Sequence, residues 1–169
     1  MKRLLLLRHA KSDWNAGSKS DHDRPLSKRG RKSADAIGKF MAAGGLLPDY
    51  AITSSAKRAR TTLERAMKAG GWECPTDVTS DLYNANVDEV LRKVSECSNS
   101  DDTVLIVGHQ PTWSGVVHAL AGGSARVATG TLVGIDLSIT AWKRIRRGAG
   151  ELALILPPRL LTDGDFSLD

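Results

Sequence analysis

Short apolar runs, each followed by a segment with helical spacing, divide the first three-quarters of the chain. The leucines from Leu4 to Leu7 and the run from Thr103 to Gly108 predict two strands that are buried on both faces. Further strands are predicted at 50–53 and, more weakly, at 76–79. Four helices are predicted around these strands: Ser27 to about Ala43, a helix capped by Ser54-Ser55 and ending at Gly70-Gly71, one marked by Val87, Val90, Leu91 and Val94, and one from Pro111 to Gly122-Gly123. This alternation predicts right-handed βαβ units and a mainly parallel sheet.

The last part of the chain has a different pattern. Alternate residues are apolar from Val133 to Ile139, and a second apolar run extends from Leu152 to Leu156. The two runs predict a β-hairpin pair joined by the basic turn from Lys143 to Gly148. Pro157-Pro158 is expected to end the sheet, and the tail to Asp169 is predicted to be an irregular surface strap.

Composition narrows the class of protein. A chain of 169 residues with 41% hydrophobic and 25% charged residues is typical of one globular domain. The net charge of +5 favours anionic partners such as phosphates, acidic proteins or nucleic acid. Cys74 and Cys97 form no CxxC pair, which favours free thiols in a reducing compartment. The leucine run is too short for a signal peptide, and no apolar segment approaches the roughly 20 residues of a membrane span, so we expect a cytoplasmic protein without a membrane partner.

Polar side chains follow the predicted strands at their carboxyl ends. Arg8 and His9 end the first strand, Arg58 lies in the first turn of the helix after the second, and His109 ends the later strand. A parallel sheet brings such ends to one edge, where open α/β folds bind ligands. Guanidinium groups match phosphate oxygens bidentately, and the helix start at Ser54-Ser55 is expected to add backbone donors. Neutral imidazole is a nucleophile toward phosphorus, and the nearby arginines are expected to keep His9 neutral.

Other functions are compatible with parts of this pattern. Each of these residues could be a solvated edge residue, and two histidines could bind a metal. Zinc sites, however, need three protein ligands without adjacent arginines, so neither a metal nor another cofactor is predicted. The basic segments Lys28 to Lys32 and Lys143 to Arg147 could bind nucleic acid, but aromatic residues make up only 5% of the chain and neither segment has stacking residues. No nucleic-acid partner is therefore predicted.

Several segments resemble the motifs of one family. The segment Arg8-His9-Ala10-Lys11-Ser12-Asp13-Trp14-Asn15 resembles the Arg-His-Gly signature that opens the histidine phosphatase superfamily, whose fold is called phosphoglycerate mutase-like. Residues 54–62 resemble its second motif and Val107-Gly108-His109 its third, and residues 23–30 resemble the segment after the first loop of small bacterial phosphohistidine phosphatases of the SixA type. The motifs occur in the family's order and cover the chain to about residue 156.

The resemblance implies a fold and a set of roles. The fold would be α/β, a three-layer αβα sandwich with a mainly parallel central sheet, in one domain spanning 1–169 without a cap insertion. His9 would be the nucleophile that becomes phosphorylated, and Arg8, Arg58 and His109 would hold the transferring phosphoryl group. No cofactor would be needed.

Two departures from the family's pattern concern the site. Ala10 replaces the signature glycine, and the segment Asp81 to Ala85 contains no clear equivalent of the general acid that larger relatives place there. Asp21 is the preferred alternative because it precedes Arg24 by three residues in a loop expected to cover the pocket; a solvated loop carboxylate is the competing interpretation. Asn15, Arg24 and Asp21 are expected to help to bind the substrate.

The missing cap favours an exposed phosphate as substrate. A P–N bond also needs little leaving-group help once its nitrogen is protonated. The predicted function is therefore a phosphatase acting on a phosphorylated protein, with phosphohistidine as the substrate. The alternatives are a small-molecule phosphomonoesterase on the same fold, and a basic phosphoprotein- or nucleic-acid-binding module.

Overall fold

The computed structural model describes residues 1–163, and within them six strands form one sheet in the order β3-β2-β4-β1-β5-β6. The strands are β1 (Lys2–Arg8), β2 (Tyr50–Ser54), β3 (Thr76–Thr79), β4 (Thr103–Gly108), β5 (Leu132–Leu137) and β6 (Gly150–Leu156). β1 to β4 are mutually parallel, whereas β5 is antiparallel to β1 and to β6. The prediction of a mainly parallel α/β sheet is therefore confirmed.

Helices cover both faces of this sheet. They are α1 (Lys28–Ala43), α2 (Lys57–Gly70), α3 (Val87–Ser95), α4 (Thr112–Ala121) and the short α5 (Arg159–Thr162). Successive strand residues point to opposite faces, so Leu5 and Leu7 pack with α1 and α2 while Leu4 and Leu6 pack with α3 and α4. All four leucines are fully buried, which explains why this strand reads as a continuous apolar run and confirms three layers.

The start of α1 also fixes the first loop. The Ser27 hydroxyl accepts a hydrogen bond from the Gly30 amide at 3.0 Å, as expected of the N-cap residue, and the Ser27 amide donates to the Lys11 carbonyl at 2.9 Å. A Cβ atom on Gly30 would overlap that carbonyl. The close approach therefore requires glycine and anchors both ends of the loop that leads from β1 to α1.

The start of α2 differs from the prediction. Ala56 is the N-cap residue and provides no side-chain cap. The Ser54 hydroxyl contacts His109 and also accepts from the Ala56 amide at 3.3 Å, whereas the Ser55 hydroxyl contacts His22. Neither serine therefore caps the amides within α2.

The C-terminal hairpin is confirmed, with changed limits. β5 ends at Leu137, so Ile139 lies outside it, and the connection to β6 contains a 3-10 turn at Trp142–Arg144. The predicted irregular tail is wrong at Arg159–Thr162, where backbone hydrogen bonds to Pro157 and Pro158 form α5. The remainder of that prediction, residues 164–169, lies outside the described part. Among the described helices none is long and apolar enough to cross a membrane.

Candidate active site

The four residues predicted to form the centre lie together at one edge of the sheet. Arg8 pairs with Gly108 across the parallel strands β1 and β4, which places the following residues, His9 and His109, side by side. Their ring centroids are 5.2 Å apart. Arg58, in the first turn of α2, directs its Nε to His9 Nε2 at 3.3 Å. Strand register thus brings together residues that are a hundred positions apart.

The His9 ring is buried and held in one tautomer. Its Nδ1 lies 2.8 Å from the Ala10 carbonyl oxygen, and because a carbonyl only accepts, Nδ1 must carry the proton. Nε2 then keeps its lone pair on the side of Arg58. Burial lowers the pKa of His9 to about 3; the Ala10 hydrogen bond opposes this shift, and the charges of His109, Arg58 and Arg8 make smaller contributions in the same direction as burial. The ring is neutral as predicted, but burial rather than the arginines is the main cause.

The position of Ala10 depends on a threonine that the sequence analysis missed. The Ala10 amide donates to Thr62 Oγ1 at 3.0 Å, and the Thr62 hydroxyl donates to the Arg58 carbonyl at 2.6 Å. Thr62 is fully buried. This link joins the backbone beside His9 to the helical turn that carries Arg58, and so fixes the position of His9 relative to Arg58.

His109 is oriented by the end of the neighbouring strand. Its Nε2 lies 2.8 Å from Ser54 Oγ, and burial, followed by the charge of Arg58, lowers the pKa of His109 to about 4. The amides of Ser55 and Lys57 already donate to the carbonyls of Thr79 and His22. This turn therefore offers a phosphate fewer backbone donors than predicted.

Arg8, the last residue of β1, adds a positive charge near His9 and His109. Its Nη1 donates to the Val127 carbonyl at 3.0 Å, and its buried Nε has no hydrogen-bond partner within residues 1–163. Burial lowers the pKa of Arg8. A buried donor of this kind gains most from an anionic partner.

Asp21 bridges the arginines of the site. Its Oδ1 accepts from Arg24 Nη2 at 2.7 Å, and its Oδ2 accepts from Arg58 Nη2 at 3.1 Å and from the Tyr83 hydroxyl at 2.7 Å. The hydrogen bond from Tyr83, then that from Arg24 and the charges of Arg58 and Arg24, lower the pKa of Asp21 to about 2. These hydrogen bonds place this part of the first loop against Arg58, which lies next to His9. An ionised carboxylate has no proton to donate, however, so this state disfavours Asp21 as general acid.

Arg24 is in the site, whereas Asn15 is not. Arg24 is buried, donates to the Ser12 hydroxyl, and stacks with its guanidinium carbon 3.5 Å from the centroid of the exposed Trp14 ring. Asn15 is exposed, and within residues 1–163 its side chain forms no hydrogen bond. Its backbone N–H donates to Asp13 Oδ1 at 2.9 Å. The expected substrate contact of Asn15 is therefore not supported by its position.

Tyr83 is the principal residue that the sequence analysis missed. Its ring centroid lies 5.6 Å from that of His109 and 5.0 Å from that of His22, and its hydroxyl binds Asp21. The segment Asp81 to Ala85 lacks a clear carboxylate equivalent of the family's general acid, but it contains this tyrosine, and a tyrosine hydroxyl is also a hydrogen-bond donor. The presence of that donor in the segment is the signal in the sequence that points to Tyr83.

The described residues contain no ready-made metal site. Within 1–163, no group of three or more His, Cys, Asp or Glu side chains could hold an ion. The expectation that the reaction needs no metal stays a prediction. Positive charge at the site comes from Arg8, Arg24 and Arg58.

Comparison with known proteins gives a consistent family and fold. The model of the histidine phosphatase superfamily (branch 1) matches residues 4–90. An uncharacterized chloroplastic protein of Arabidopsis thaliana is 32% identical over 137 residues, which cover 76% of this chain and 63% of that protein. Two solved structures assigned as the phosphohistidine phosphatase SixA superpose with a TM-score of 0.80: that from Nakamurella multipartitia is 30% identical, covering 93% of this chain and 96% of its own, and that from Agrobacterium tumefaciens is 26% identical, covering 93% and 98%.

Proposed function

The chain belongs to the histidine phosphatase superfamily, and from that premise we propose that it removes a phosphoryl group from phosphohistidine on a protein, through a phosphorylated His9. The observation that carries the proposal is the state of His9. Its Nδ1 proton is bound by the Ala10 carbonyl, its Nε2 faces Arg58, and its pKa is about 3. A neutral imidazole whose Nε2 carries a lone pair instead of a proton, beside a guanidinium, is suited to attack a phosphorus atom.

The reaction has two displacements at phosphorus. In the first, the Nε2 lone pair of His9 forms a P–N bond while the bond from phosphorus to the leaving atom breaks, and the leaving atom keeps that electron pair. In the second, water attacks the phosphorylated His9, its P–N bond breaks, and Nε2 recovers its lone pair as inorganic phosphate and a proton are released. Arg8, Arg58 and His109 stabilise the negative charge of the transferring group in both steps.

The ionised state of Asp21 supports phosphohistidine over a phosphate ester. An alkoxide leaving group needs a proton donor, and Asp21, with a pKa of about 2, does not provide one at neutral pH. A phosphoimidazole can be protonated on its second ring nitrogen by solvent and then leaves as neutral imidazole. Protonation of the substrate's own imidazole therefore replaces a general acid supplied by the protein.

The remaining assignments belong to the same proposal. We propose one domain without a cap insertion, a phosphorylated protein as partner, no nucleic acid and no cofactor, and a cytoplasmic location. The short connection from α2 to α3, which holds only β3 and a 3-10 turn, supports an uncapped site. The competing function is a small-molecule phosphomonoesterase with the same residues.

A rapid-quench experiment tests the intermediate. A phosphohistidine peptide labelled on phosphorus should leave an acid-labile, base-stable label on His9, one of four histidines in the chain. His9→Ala should abolish the label, His109→Ala should slow its formation, and the exposed His118→Ala should match wild type. A label on His109, or turnover without any label, would overturn the proposal. Higher kcat/KM for sugar phosphates than for the peptide would favour the small-molecule function.

A further inference from the structure

A basic groove lies beside the site and is not used by the chemistry proposed above. It has a volume of about 420 Å³, and four cationic side chains line it: Lys11, Arg29, Arg126 and Arg159. The other lining residues are neutral, so the described wall contains no acidic side chain. The cations come from the first loop, α1, the segment before β5, and α5, and only the tertiary structure brings them together.

The groove shares its wall with the catalytic centre. Lys11 follows His9 by two residues, and Arg126 precedes Val127, whose carbonyl accepts from Arg8. The segment before β5 contacts the site a second time at Gly130, whose backbone amide donates to the carbonyls of Arg8 and His9 at 3.1 Å. A chain that presents a phosphoryl group to His9 can therefore continue along the groove.

The four cations are exposed and unneutralised by the described residues. None of them forms a salt bridge or a side-chain hydrogen bond within residues 1–163, although acidic side chains elsewhere in that range are paired with arginine or lysine. Like charges held close together repel one another, and an anionic ligand relieves that repulsion. We propose that the groove binds an acidic segment of the phosphoprotein substrate, next to its phosphohistidine. This inference rests on the proposed function.

Its size and lining select this occupant. The volume is much larger than one phosphate ion needs and accommodates several carboxylate side chains. A single-stranded nucleic acid would be expected to find aromatic stacking surfaces, and the lining contains none. Acidic side chains on an extended chain match both the charge and the extent of the groove.

Two phosphohistidine peptides test the proposal, one with three glutamates beside the phosphohistidine and one with three glutamines. Exposed charge pairs each change affinity a few-fold at most, so wild type should prefer the acidic peptide by about tenfold in kcat/KM at low ionic strength, and less at high salt. The double variant Arg126→Glu, Arg159→Glu should lose that preference. Turnover of p-nitrophenyl phosphate should stay within about twofold, because neither residue touches the reacting group.

A matched control separates the groove from overall charge. Arg144→Glu with Arg146→Glu makes the same change in net charge in the exposed turn before β6. That turn follows β5, whose last residue, Leu137, pairs with Lys2 at the start of β1. Arg8 is at the other end of β1, so the turn and the catalytic centre lie at opposite ends of the strands. The control should keep the preference for the acidic peptide, and a loss as large as that of the groove variant would overturn the proposal.

The outcomes also distinguish the groove from the proposed function. If wild type hydrolyses both peptides equally well, the function stands and the groove proposal fails. If wild type hydrolyses neither peptide, the proposed function fails. If only a chain shortened by residues 164–169, which include Asp165 and Asp169, prefers the acidic peptide, then the chain's own tail is the occupant and the proposal of a substrate segment is overturned.

Discussion

Replacing Asp21 by asparagine should strengthen phosphate binding. The Asp21 carboxylate accepts hydrogen bonds from Arg24 and Arg58, two arginines that a phosphoryl group would also engage. A bound phosphate must therefore compete with this carboxylate for the same donors. Asparagine removes the negative charge, while the Asp21 backbone carbonyl that binds Arg58 Nη1 at 2.8 Å is retained.

The size of the effect follows from two ion pairs at a partly exposed site. The Asp21 side chain is 48% exposed, so each pair is worth about 0.2–1 kcal/mol rather than the value of a buried pair. Together they oppose phosphate by about 0.4–2 kcal/mol, which corresponds to a roughly 2- to 30-fold tighter phosphate affinity in Asp21→Asn. The variant should show this gain without a large change in kcat for phosphohistidine.

Steady-state kinetics measures both quantities. The inhibition constant of inorganic phosphate should be determined against p-nitrophenyl phosphate, and kcat should be measured on the phosphohistidine peptide. In addition, kcat should be compared between p-nitrophenyl phosphate and phenyl phosphate, which has a poorer leaving group. Asp23→Asn is the matched control, because Asp23 lies in the same loop and its carboxylate binds Ser20 instead of the arginines. Asp23→Asn should leave the inhibition constant unchanged.

The opposite pattern would refute this reasoning. If Asp21 is the general acid, Asp21→Asn should lower kcat by about a hundredfold or more on phenyl phosphate, spare p-nitrophenyl phosphate, and leave phosphate inhibition unchanged. That result would mean that substrate binding displaces the carboxylate from its arginines and raises its pKa.

Further predictions concern charge, protonation, metal and packing. Arg58→Ala should lower turnover about a hundredfold with the fold intact by circular dichroism, and Arg58→Lys should recover only part of it because a point charge loses the bidentate geometry; near-normal turnover of Arg58→Ala would remove it from the pocket. The pKa values of His9 and His109 lie below those in the unfolded chain, so the unfolded chain binds these protons first as the pH falls. The free energy of unfolding should therefore fall between about pH 6.5 and pH 4, by up to about 1.4 kcal/mol per pH unit for each histidine. A variant with both histidines replaced by glutamine that keeps the full slope would contradict the lowered pKa values. Dialysis against EDTA should leave activity unchanged because the arginines supply the charge, and a loss restored by zinc or magnesium would revive the metal interpretation. Gly30→Ala should cost about 1–3 kcal/mol in denaturant unfolding, since its Cβ would overlap the Lys11 carbonyl; an unchanged midpoint would show that the loop yields.

Local sequence patterns were sufficient for the sheet and for its catalytic edge. Four leucines in succession require apolar cover on both faces, and the polar residues directly after such a strand can lie only at its end. The parallel arrangement followed from alternating strands and helices, so the meeting of Arg8, His9, Arg58 and His109 was predictable from the order of the elements.

The first loop was not predictable to the same extent. Asn15 was expected in the pocket and is exposed, and the carboxylate of Asp21, which was expected to act as an acid, accepts hydrogen bonds from two arginines. A loop has no repeating pattern that fixes which side chains turn inward. Its conformation here depends on hydrogen bonds that join it to α1 and to α2.

The sequence by itself determined which strands are buried and which polar residues end them, because strand periodicity and burial are properties of neighbouring residues. Only the tertiary structure decided the environment of those residues. Tyr83 reaches Asp21 across 62 positions, Ser54 reaches His109 across 55, and four cations from separate segments line one groove. The pKa of His9 shows the physical reason: it depends chiefly on how much water the complete fold excludes, a quantity that no short stretch of sequence contains.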